Sequence, residues 1–141
     1  MNVSLADQYF SQVGSGRPPT APGRFEDLAR GGDPVQFVPG LEFRYLLGER
    51  TMLMAVRFEP HTEAPRHVHD EEQITLVIEG ELEFEIDGET RTLRPGQVAV
   101  IPANVPHAAR THSGACLEYD VFNPPRQALL DLADAARQKA G

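Results

Sequence analysis

From Val35 to Phe122 apolar and polar residues alternate with a period of two, the signature of strands that bury one face. The alternation predicts strands at Gln36–Val38, Glu42–Leu46, Thr51–Phe58, Arg66–His69 and Gln73–Glu79. It predicts five more at Glu81–Ile86, Glu89–Leu93, Val98–Ile101, His107–Thr111 and Ala115–Phe122. Asp87-Gly88 is a hairpin turn signal. Many short strands at this spacing read as an all-β domain, a sandwich or barrel with jelly-roll connections. Residues 1–34 break the pattern with Gly14-Ser15-Gly16, Pro18-Pro19, Pro22-Gly23 and Gly31-Gly32, so they form an irregular N-terminal arm. Two short helical pieces fit within it, Ser4 to Gln12 and Arg24 to Ala29. The arm lies over the barrel or reaches a neighbouring subunit. After the barrel at 35–126, residues 127–141 carry Leu129, Leu132, Ala133 and Ala136 at helical spacing. The three parts make one domain.

The chain has 141 residues, a formal net charge of −8 and a pI near 5. That charge argues against nucleic acid or an anionic membrane as partner. A lone cysteine, Cys116, excludes an internal disulfide and fits a reducing compartment. No apolar run approaches the roughly 18 residues of a membrane span. Met1-Asn2-Val3-Ser4-Leu5 lacks the features of a secretion leader. The expectation is a cytoplasmic protein.

Candidate chemistry centres on His67-Val68-His69. Side chains two apart on a strand share a face, so the pair can hold one ion. Gln73 keeps the parity and offers an amide oxygen, and His107 would come from another strand. Imidazoles suit zinc first, with nickel, iron or manganese as alternatives. An all-neutral ligand set leaves the divalent charge nearly uncompensated and makes a Lewis acid. The missing carboxylate at Gln73 weighs against iron–oxygen chemistry. His61 and His112 are expected on the surface.

These stretches resemble the two sequence motifs of the cupin family. The first runs from His61, where the motif usually has glycine, through His67, His69 and Gln73 to Gly80. The second runs from Gly96 through Pro102 to His107. The tail Asp120-Val121-Phe122-Asn123-Pro124-Pro125-Arg126 is similar to that of small cupins of the KdgF type, which convert unsaturated uronates into linear keto forms. That resemblance implies a catalytic acid/base at Asp120, an aromatic neighbour at Phe122 and a substrate-binding arginine at Arg126. Small cupins also include aromatic polyketide cyclases. Met52 and Met54, Tyr45 and Phe84 give the expected inner wall an apolar character, which favours a polyketide-like carbonyl substrate and aldol-type cyclisation. A uronate would need a clamp from Arg66, Arg110 or Arg126. A non-catalytic, small-molecule-binding cupin is the further alternative. A homodimer is expected, since cupins often pair sheets.

Overall fold

Ten strands build two sheets in the computed structural model, which describes residues 4–30 and 32–140. In chain order they are β1 Val35–Val38, β2 Leu41–Leu47, β3 Met52–Phe58, β4 Glu63–His67 and β5 Glu72–Glu79. Then come β6 Leu82–Ile86, β7 Glu89–Leu93, β8 Val98–Ile101, β9 His107–Arg110 and β10 Cys116–Asn123. One sheet has the order β1-β2-β3-β10-β5-β8 and the other β4-β9-β6-β7, with every pair antiparallel. Alternate residues of β3 (Met52, Met54, Val56, Phe58) and β10 (Cys116, Glu118, Asp120, Phe122) are buried, so both strands turn these faces into the space between the sheets.

The predicted strands recur with ends shifted by a residue or two, except β4. It begins at Glu63 and stops at His67, leaving His69 beyond it. β4 is an edge strand, the position where a proline such as Pro65 is tolerated. Its pairing with β9 is irregular between Ala64 and His67. The Asp87-Gly88 hairpin forms with positive φ at both residues (47° and 89°), the geometry that twisted two-residue hairpins require. Gly80, at φ +80°, turns β5 into β6 so close to the start of β10 that a Cβ there would lie 2.1 Å from the Ala115 carbonyl oxygen. Only glycine fits.

The arm departs from expectation in two places. Its first helix, α1 Leu5–Tyr9, is shorter than Ser4 to Gln12, with the Ser4 hydroxyl accepting from the Asp7 amide as its cap. Arg24 to Ala29 forms no helix. Asp27 Oδ1 accepts from the Ala29 amide instead, a local turn that competes with helix in so short a stretch. Leu28, Ala29 and Pro34 lie against Ala55, Leu117 and Tyr119 on the outer face of the larger sheet, enclosing a hollow of about 80 Å³. Met1 to Val3, Gly31 and Gly141 lie outside the described residues, and with them parts of the N-terminal arm, of the Gly31-Gly32 turn and of the segment 127–141. The second helix, α2 Gln127–Ala140, buries Leu129 and Ala133 and lies beside β1. Among the described residues no helix is long and apolar enough to cross a membrane.

Candidate metal centre and substrate cavity

His67 ends β4, His107 opens the neighbouring β9, and His69 follows in the bend that leads to the other sheet. The pairing of His67 with His107 across the two strands brings their ring centroids to 4.3 Å. His69 lies 5.6 Å from His67 and 4.9 Å from His107. One ring nitrogen from each falls within 4.8 Å of the others. Strand parity therefore does not join His67 to His69. The chain bends back after β4, and Gln73 reaches the same point from β5 in the opposite sheet.

Each imidazole is oriented through its Nδ1. His67 contacts the Pro65 carbonyl at 2.7 Å, His69 the Glu71 carbonyl at 3.0 Å and His107 the Val105 carbonyl at 2.9 Å. With Nδ1–H donating in each case, the Nε2 lone pairs are left for the centre. His107 Nε2 is buried without a hydrogen-bond partner among the described residues. His69 Nε2 faces Gln73 Oε1 at 3.0 Å, because the Gln73 amide nitrogen is engaged elsewhere. Two lone pairs turned toward one space, beside a third that is orphaned, is an arrangement that a cation completes. The donor set fits a divalent metal. Burial pushes His107 down to about 4 and His67 below the ordinary histidine value, so both stay neutral and ligand-competent at neutral pH.

Asp120 stands beside this centre on β10, 5 % exposed. Its Oδ1 accepts from Thr75 Oγ1 at 2.6 Å and Gln73 Nε2 at 3.2 Å. Thr75 is its register partner on β5. Phe122 packs edge-on to His69 at 5.6 Å, and Phe84 stacks parallel to His107 at 6.3 Å. The Arg126 guanidinium lies 6.0 Å from the Phe122 ring centroid and 3.9 Å from Glu71. Asp120, Gln73, Phe122, Phe84, Arg126, His67 and His107 line a cavity of about 60 Å³, walled also by Met54, Phe58 and Glu118.

Two expected pocket residues lie elsewhere. Met52 is fully buried in the core and does not line the cavity. The Tyr45 hydroxyl accepts from Arg137 of α2 at 2.9 Å, on a groove shared with that helix. An inward-facing stripe runs the whole length of a strand, whereas the cavity occupies only part of it. Arg66 and Arg110 pair with Glu85 and Glu83 at 3.3 Å and 3.2 Å, leaving Arg126 as the guanidinium at the cavity. His61 and His112 are exposed. Thr75 and Glu118 share the inward face, as their parity with Gln73 and Asp120 along β5 and β10 indicates in the sequence.

A family model described as "Cupin domain" matches residues 54–122. The curated H2HPP isomerase of Bacillus subtilis is 44 % identical over 55 residues, 38 % of this chain and 23 % of that protein. The match thus spans under a quarter of that relative's length. Among solved structures, KdgF from Halomonas sp. superposes with a TM-score of 0.71 at 28 % identity, covering 77 % of this chain and 99 % of that one. The polyketide cyclase RemF from Streptomyces resistomycificus gives 0.56 at 25 % identity, covering 62 % of this chain and 67 % of that one.

Proposed function

The chain is a small cupin with a candidate metal centre, and from that premise we propose that it catalyses proton transfer on a small enolisable carbonyl compound that carries a carboxylate. The observation that carries this reading is the placement of Asp120, a buried carboxylate held by two donors in the cavity that His67, His107 and Arg126 also line. A divalent ion held by His67, His69, His107 and Gln73 Oε1 would supply Lewis acidity toward a carbonyl or enol oxygen. The metal identity expected first is zinc.

The chain's own groups perform the remaining tasks. Arg126 binds the substrate carboxylate, for which its guanidinium fork is suited. Asp120 takes a proton from the carbon beside the carbonyl and returns it to another atom of the same skeleton. Thr75 and Gln73 hold Asp120 Oδ1 by donating to it, so the carboxylate is oriented before substrate arrives and its other oxygen, Oδ2, moves the proton. Phe122, Phe84, Met54 and Phe58 exclude water, which strengthens each electrostatic contact inside. An unsaturated uronate, which joins a carboxylate to an enolisable skeleton, is one substrate of this class. The likeness to KdgF over nearly all of that chain supports it.

Aldol-type cyclisation of a polyketide-like compound is the second reading. The apolar wall formed by Met54, Val56, Phe58 and Phe84 favours it, together with the likeness to RemF. It stands second because the polar groups at the cavity, Asp120, Gln73 and Arg126, suit a small acid better than an apolar polyketide.

The test is proton exchange in heavy water, followed by NMR on a panel of small 2-oxo acids and an unsaturated uronate. Metal-loaded protein is expected to exchange the proton next to the carbonyl of at least one panel member. Asp120→Asn is expected to keep fold and metal while losing exchange by about 10²–10⁴-fold. An unchanged rate in that variant rejects Asp120 as the proton carrier. Binding without exchange in the parent protein would favour a non-catalytic role.

A further inference from the structure

The inner face of β10 carries Cys116, Glu118, Asp120 and Phe122, and the mechanism above uses only the last two. Glu118 lines the same cavity, is 4 % exposed, and its Oε2 is buried with no hydrogen-bond partner among the described residues. Its register partners are Val56 on β3 and Val77 on β5, whose side chains offer nothing to that oxygen. A buried carboxyl oxygen without a partner destabilises a fold, so its presence calls for a reason outside the fold. Glu118 and Phe122 are four residues apart, about 13 Å along the strand, with Asp120 midway. Arg126 sits over Phe122. The proton-moving carboxylate is thus bracketed by a guanidinium at one end and, at the other, by a carboxyl that shares a hydrogen bond with Asp120 and keeps one oxygen unpartnered.

We propose that Glu118 is the second polar anchor of the substrate cavity. It takes a hydroxyl or carbonyl oxygen of a short-chain acid whose carboxylate lies at Arg126 and whose reacting carbon lies at Asp120. This deepens the function proposed above and rests on it. Burial, and after it the charge of Asp120, pushes Glu118 well above the ordinary carboxylate range. A neutral carboxyl both donates and accepts a hydrogen bond, so it suits a hydroxyl or a carbonyl. It also keeps a second negative charge out of a cavity that must admit an anionic ligand. The substrate class narrows accordingly to oxo acids bearing a further oxygen at the end remote from the carboxylate.

The experiment compares metal-loaded wild type, Glu118→Gln and Glu118→Met. Calorimetry reads the binding of two probes that differ by one hydroxyl, 2-oxobutanoate and 4-hydroxy-2-oxobutanoate. Wild type is expected to bind the hydroxylated acid about tenfold more tightly, the effect of one added hydrogen bond. Glu118→Gln, which still donates and accepts, keeps part of that preference, and Glu118→Met binds both acids equally. Without probe, Glu118→Met is expected to melt at or above wild type, because an unpartnered buried oxygen has been removed. A preference that persists in Glu118→Met overturns the proposal. So does its absence from wild type, including failure of either acid to bind, and so does a Glu118→Met melting point below wild type. Exchange chemistry is read separately by NMR. Loss of exchange with the binding preference intact would reject the proton-transfer reading alone.

Discussion

Thr75 and Asp120 are register partners on β5 and β10, and the Thr75 hydroxyl donates to Asp120 Oδ1 across 2.6 Å in a fully buried setting. Thr75→Val keeps the shape and removes this donor. The expected result is a stability loss of about 1.5–3 kcal/mol, the usual contribution of a hydrogen bond to a charged group. Metal content should stay unchanged while turnover falls. Denaturant melts and metal analysis on one preparation would check this, and a variant as stable and active as the parent would count against Thr75 as the group that orients Asp120.

The three imidazoles are expected to act as one unit. His67→Ala and His107→Ala should each abolish stoichiometric metal after loading and dialysis, as read by elemental analysis. Chelation of the wild type should lower its melting temperature, because an ion that binds only the native state stabilises it by mass action. Either variant retaining one ion per chain would sink the centre as drawn.

Arg126 is expected to recognise a carboxylate through its planar fork. Lysine keeps the charge and loses the fork. Arg126→Lys should therefore raise KM by roughly tenfold, the effect of about 1.4 kcal/mol, and change kcat much less. A variant that lost kcat alone would place Arg126 in the chemical step instead of in binding.

His107 sets a pH dependence in the metal-free protein. Burial holds its folded pKa at about 4, below the ordinary value of 6.5. Between those values the unfolded chain binds a proton that the native state does not, so stability is full above 6.5 and falls as pH drops toward 4. Metal-free His107→Phe should show a shallower fall in melting temperature over that window. Equal slopes for the two proteins would show that His107 does not carry the effect.

Much of this was legible in the chain because strand alternation is a local property. The period of two in Glu81-Leu82-Glu83-Phe84-Glu85-Ile86 and the Asp87-Gly88 turn predicted β6 and its hairpin, and both formed. The stretch Arg24 to Ala29 misled, since a helical composition over six residues is too short to outweigh a side chain that caps its own turn. Tyr45 and Met52 misled for another reason. Parity tells which face a residue takes, not how far along the barrel the cavity extends.

By itself the sequence determined the strands, the shared face of Asp120 and Phe122, and the residue types able to hold an ion, because each depends on near neighbours in the chain. The tertiary structure decided which of those residues meet. His69 joins His67 through a bend beyond the strand, Gln73 arrives from the opposite sheet, and Thr75 locks Asp120 across a strand pair. The longest of these contacts, Thr75 to Asp120, joins residues 45 positions apart, a separation at which only the pairing of β5 with β10 fixes a distance.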